Sequence, residues 1–171
     1  LVLMLGAESV VGSFQWSPYY KIHTTQLAGG LFRVEVNNTP LQTALPVADI
    51  RRDSPFYLYP YTYAGSRDDV LVIGAGTGND VAVALAQGAE RVDAVEIDPA
   101  IMQLGRDHHP DRPFSDPRVT THVDDGRAFM ERTDRRYDLI LLALPDSATI
   151  VTGQSALRLE NYLFTTQALT Q

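Results

Sequence analysis

Four apolar residues, Val70 to Ile73, run without a break into glycines at 74, 76 and 78 in the stretch VLVIGAGTGND. A short apolar run of this kind fits a strand buried on both faces. Glycines at alternate positions let the chain turn through positive φ and let a ligand come close to the backbone. Asn79 to about Gln87 then predicts a helix, and Gly88 stands where a left-handed residue ends one.

The same order recurs downstream. RVDAVEI reads as a second strand, and Asp98-Pro99 as a cap and first-turn proline opening a helix to about Asp107. Pro110, Pro113 and Pro117 forbid a continuous helix there. RVTTHV makes a third strand, GRAFMER a short helix and YDLILLAL a fourth strand. Strand and helix alternating at this spacing imply right-handed crossovers and a parallel sheet, hence an α/β fold.

Upstream the pattern differs. LFRVEVNN alternates Phe32, Val34 and Val36 against Arg33 and Glu35, the period of a half-buried strand. Gly29-Gly30 and Asn37-Asn38 flank it as turn dipeptides, and SPYYKIHTTQ supplies the partner strand. Pro46 to Tyr63 carries prolines and aromatics without clear period and reads as a connecting segment laid along the second unit. The chain therefore divides into a small antiparallel β appendage with its connection, residues 1–64, and an α/β domain, residues 65–171.

Composition narrows the partners. A net charge of −7 over 171 residues disfavours a phosphate backbone, and the absence of cysteine removes disulfides and thiolate chemistry. The opening LVLMLGAESVVG reads either as a buried strand or as the trailing end of a membrane helix.

In a parallel sheet a ligand sits at the carboxyl ends of the strands. The glycine spacing here is G-x-G-x-G, without the third glycine of a pyrophosphate-binding turn and without a Gly-Lys-Ser/Thr phosphate loop. Glu96 ends the second strand, where a carboxylate accepts hydrogen bonds from both ribose hydroxyls. Asp125 follows the third strand, placed either to accept from an adenine amino group or to cap GRAFMER, with Asp124 as the other capping candidate. Anchors at three successive strand ends suit an adenosyl group without pyrophosphate, as in an adenosyl-sulfonium cofactor.

Together VLVIGAGTGND, VDAVEIDP, HVDDGRAF and YDLILLALPDS resemble the spermidine synthase-like branch of the class I methyltransferase fold, with SPYYKI and LENYLFT in keeping. The likeness looks closest to versions fused behind membrane spans. It implies a Rossmann-like sheet, here ending after the fourth strand, and a transferase binding S-adenosylmethionine or its decarboxylated form, without a metal. Gly74, Ala75, Gly76, Thr77, Gly78, Glu96, Ile97, Asp125, Gly126 and Ala143 would form the nucleoside site. The acceptor would be a small nucleophile such as a polyamine, entering between the appendage and residues 143–147. The resemblance also implies a cytoplasmic location, as a soluble domain of a membrane protein if a span precedes it, and allows a homo-oligomer.

The chain departs from the family at the acids. Aminopropyltransferases carry an acid in the glycine turn that holds the donor's amine; Thr77 stands there. They end the fourth strand with an Asp that orients the attacking amine; Ala143 stands there, followed by Asp146. Tyr20 replaces the family's Gln after the first Tyr of the appendage. Asp146 and Tyr20 are the candidate catalytic groups, with Glu160 and Tyr19 as further substitutes. Methyl transfer to an unknown acceptor, and nucleoside binding without catalysis, stand as alternatives; a nicotinamide dehydrogenase is a weaker one. The fourth strand is expected to be an edge that more polypeptide or another chain covers.

Other clusters read as structural. DHHPD, residues 107–111, lies in a proline-broken loop without helical ligand spacing. His23 and His122 read as strand-face residues, RTDRR as a solvated helix end, and GQSALRLE as part of a loop over the acceptor site or an ordinary connection.

Overall fold

The computed structural model describes residues 14–143, and within them two four-stranded sheets. The first is antiparallel, in the order β1 (Phe14–Trp16), β2 (Lys21–Gln26), β3 (Phe32–Val36) and β4 (Thr39–Ala44). Its alternating residues do what the pattern requires: Phe32, Val34 and Val36 are buried together with Ile22 and Ala44. Asn37 and Asn38 turn the β3–β4 hairpin at φ 51° and 63°, the conformation for which asparagine is suited. Pro40 has no N–H for the ladder, and the register shifts beside its partner Glu35.

Two short helices follow, α1 (Val47–Asp53) and α2 (Tyr59–Tyr63), joined by a 3₁₀ turn at Pro55–Leu58. The sequence showed no period here because neither helix is long enough to repeat one. Each is held by a single fully packed side chain, Ile50 and Tyr61, both in the core of the second sheet. An Arg52–Asp49 pair at i, i+3 adds a weak local contribution.

The second sheet is parallel. Its strands are β5 (Asp69–Ile73), β6 (Arg91–Glu96), β7 (Val119–Val123) and β8 (Leu139–Leu142), in the order β7-β6-β5-β8. Helices α3 (Asn79–Ala86), α4 (Pro99–His108) and α5 (Gly126–Arg132) make the crossovers. Val70 to Ile73 are buried on both faces, one face against Val81, Val83 and Met102, the other under Phe129, Met130 and Tyr137. The chain steps outward from β5 through β6 to β7, then returns to β8 on β5's other side. That reversal opens a crevice at the carboxyl ends of β5 and β8. Among the described residues β8 is a sheet edge, with Ile140 about half exposed.

The two sheets share packing. Ile101 of α4 joins the appendage core, and the Phe32 ring meets His108 edge-on at 5.3 Å. Ser17 donates to the Asp98 carboxylate, whose other oxygen caps α4 by accepting from the Ala100 N–H at 2.9 Å.

Arg135 differs from its expectation as part of a solvated helix end. It pairs with the buried Asp93 at 2.6 Å, where the Tyr137 hydroxyl and His122 also bond. An acid buried in mid-strand needs such partners, and a residue two positions before Tyr137 is within reach. No helix among the described residues is long and apolar enough to cross a membrane. Residues 1–13, where the sequence suggested the end of a span, lie outside the described residues, as do Asp146, Glu160 and GQSALRLE.

Candidate active site

The glycine turn leaves β5 with its backbone strapped to the neighbouring strand: the N–H groups of Gly74 and Ala75 both donate to the Val95 carbonyl, at 2.8 and 2.9 Å. Gly74 and Gly76 have φ of 77° and 55°, and a Cβ on either would meet an oxygen at 2.8 Å, of Ala143 or of Gln42. Only glycine gives this backbone its conformation and its closeness to those groups.

Glu96 is buried at the end of β6. One carboxylate oxygen accepts from the Gly76 N–H at 2.8 Å, the other from the Asp98 N–H at 3.0 Å. The Ile97 backbone also acts on this carboxylate, and the side chain borders the cavity at the strand ends. Burial pushes the Glu96 carboxyl above its ordinary pKa, and the adjacent Asp98 adds to this; the backbone donors oppose it. The side chain is thus oriented before any ligand arrives.

A cavity of about 590 Å³ opens over the carboxyl ends of the strands. Of the residues named from the sequence, Gly74, Gly76, Glu96 and Ile97 line it, with Tyr20 from the appendage. Asp125, Gly126 and Ala143 line it from the two flanks. The strand order lays these out in a row: Asp125 beyond β7, Glu96 at β6, the glycines at β5 and Ala143 at β8.

Three turn residues named from the sequence face elsewhere. Ala75 packs in the core below the sheet. Gly78 faces Pro113 and Phe114, where a Cβ would lie 2.8 Å from the proline ring. Thr77 is fully buried, and both its N–H and its hydroxyl donate to Gln42 Oε1. Asp125 caps α5 by accepting from the Ala128 N–H at 2.9 Å, while Asp124 pairs with Arg132. Of the two roles the sequence left open, the structure shows the helix cap, made with one oxygen, and places Asp125 at the border of the cavity.

The DHHPD loop has a structural role. His109 is buried, its Nδ1 accepts from the Asp111 N–H, and its Nε2 meets the Asn79 side-chain oxygen at 3.2 Å. His23 and His122 are strand-face residues bonded to Glu35 and Asp93.

Sequence reasoning missed Gln42, Asp80 and the aromatic wall of Phe56 and Tyr57, all of which border the cavity. Asp80 was findable as an acid directly after the glycine turn. Gln42 had no local signal, because its importance comes from a contact across 35 residues.

Comparison with known proteins agrees with this architecture. A polyamine aminopropyltransferase of Alkaliphilus metalliredigens is 32% identical over 106 residues, 60% of this chain and 37% of the relative. One from Korarchaeum cryptofilum is 33% identical over 82 residues, 46% of this chain and 26% of the relative. This chain thus spans between about a quarter and two-fifths of the length of such relatives. A solved spermidine synthase in complex with the transition-state analogue AdoDATO superposes with a TM-score of 0.62 at 17% identity, covering 89% of this chain and 50% of that one. The spermidine synthase of Thermotoga maritima gives 0.56 at 17% identity, over 75% and 47%. These two likenesses bear on the fold, which is the Rossmann-like fold of spermidine synthases with a small antiparallel sheet before it. The spermine/spermidine synthase domain model matches residues 58–170, and the chain belongs to that family.

Proposed function

We propose that this chain is the nucleoside-binding part of an aminopropyltransferase, taking decarboxylated S-adenosylmethionine as donor and a small polyamine as acceptor. The observation that carries the reading is Glu96: a buried carboxylate, oriented by backbone N–H groups and bordering the cavity beside an open glycine turn. A ribose diol presents two hydroxyl donors at the spacing of one carboxylate. Asp125 and Gly126 would border the adenine, and the sulfonium arm would point toward β5 and β8. A cavity of this size is in the usual range for a small-molecule site of several hundred Å³.

In the reaction the acceptor amine's lone pair attacks the aminopropyl carbon bound to sulfur. The C–S bond breaks with its electron pair passing to sulfur, which leaves as a neutral thioether, and the new ammonium loses one proton. The protein's part is to align nitrogen, carbon and sulfur and to favour the unprotonated amine. Tyr20, at the cavity wall, and Asp146 are the groups proposed to take part in that proton loss. The parent family's names support amine transfer over methyl transfer or a purely binding role.

Calorimetric titration with 5′-methylthioadenosine, the thioether product, tests the reading. Wild type should bind it, and Glu96→Gln should bind at least about tenfold more weakly, since the amide presents N–H groups where the sugar needs an acceptor. Equal affinity in both proteins, or no binding to wild type, would sink it.

A further inference from the structure

An alkylammonium is best held by a carboxylate, and neither position where the family resemblance implies one supplies it here. Thr77 is turned into the protein, with its hydroxyl taken by Gln42, and Ala143 has no charge. Four acids border the cavity: Asp80, Glu96, Asp124 and Asp125. Three are already committed. Glu96 is anchored by backbone donors beside the proposed sugar position, Asp124 pairs with Arg132, and Asp125 caps α5.

Asp80 is different. It stands in the first turn of α3, the helix that follows β5, and borders the cavity. Phe56, Tyr57 and Pro60 border the same cavity. No cation among the described residues opposes the burial of its carboxyl, which is raised to about 6; only its own N–H does. An acid needed merely to complement a helix dipole gains nothing from being partly buried at a cavity. A buried acid without a cation is costly, and an ammonium ligand removes that cost.

We propose that Asp80 is the carboxylate that binds the substrate's alkylammonium group beside the sulfonium, in place of the acids absent at Thr77 and Ala143. The inference rests on the transferase reading above and names the group that selects an amine within it. Either the donor's aminopropyl arm or the acceptor could present that ammonium, and the two are separable.

The test compares wild type with Asp80→Asn, in the ligand-free protein and by calorimetry. Three titrations are made: 5′-methylthioadenosine, which has no amine; decarboxylated S-adenosylmethionine, which adds one; and putrescine into protein saturated with methylthioadenosine. The variant should match wild type for methylthioadenosine and fall by about tenfold or more for one amine, loss in the second titration assigning the donor and loss in the third the acceptor. Its melting temperature should equal or exceed that of wild type, which excludes a folding defect as the cause. Unchanged affinity for both amines, with methylthioadenosine still bound, overturns the role of Asp80 alone. Failure of wild type to bind methylthioadenosine overturns this inference and the transferase reading together.

Discussion

Gln42 and Thr77 are joined twice: the side-chain oxygen of Gln42 accepts from the Thr77 N–H at 2.9 Å and from its hydroxyl at 2.5 Å. The contact binds β4 of the antiparallel sheet to the glycine turn of the parallel one. Asn79 adds a parallel tie, accepting from the Leu45 N–H and donating to the Thr43 carbonyl.

Gln42→Leu should leave the buried Thr77 N–H and hydroxyl without an acceptor, at a cost of about 1–3 kcal/mol. Urea denaturation measures it, and Thr77→Val made in the same background should cost less than it does alone, because the two residues share one interaction. Thr77→Asp should not restore the family's acid. Its carboxylate would face the Gln42 oxygen, and methylthioadenosine affinity should fall or stay level.

Gly105 lies inside α4, where alanine would ordinarily favour the helix by about 1 kcal/mol. Here a Cβ would come within 2.5 Å of the Thr77 carbonyl oxygen and 2.7 Å of the Phe114 ring. Backbone cannot yield as a side-chain tip does. Gly105→Ala should therefore destabilise by about 1–3 kcal/mol in urea unfolding and weaken nucleoside binding, since what it displaces is the glycine turn.

His109 carries a pH dependence. Burial lowers its pKa to about 4 from 6.5, with the neighbouring Asp111 acting in the opposite direction. The unfolded chain takes the proton first, so the stability due to the neutral ring is complete above about pH 6.5 and is lost as pH falls toward 4. Between pH 7 and 5 wild type should lose about 2 kcal/mol more than His109→Gln, read from urea midpoints at the two pH values. Asp80 has the reverse sign: its raised pKa makes the folded state lose stability as pH rises from about 4 to 6, and this part is common to both proteins.

Tyr61 has a buried hydroxyl without a partner among the described residues, and burial, with Asp80 nearby, raises its pKa. Tyr61→Phe should keep the ring's packing and remove the stranded group, raising stability by up to about 1 kcal/mol in thermal or urea unfolding.

Apart from β1 and β4, the strands, their order as strand–helix units and the strand-end place of Glu96 were legible in the sequence. These follow from signals carried by neighbouring residues: the Val70–Ile73 run, the alternation of Phe32, Val34 and Val36, the Asp98-Pro99 cap. Helices α1 and α2 escaped because each is shorter than the repeat that would reveal it, and their burial depends on Ile50 and Tyr61 meeting a sheet formed later in the chain. Which turn residues face the cavity depends on contacts made across the folded chain. Thr77 and Gly76 are adjacent, yet a glutamine 35 residues upstream holds one inward while the other lies open. The same holds for Asp80, whose meaning depends on the cavity it borders and on the absence of a cation partner among the described residues, and neither is written in its neighbours along the chain.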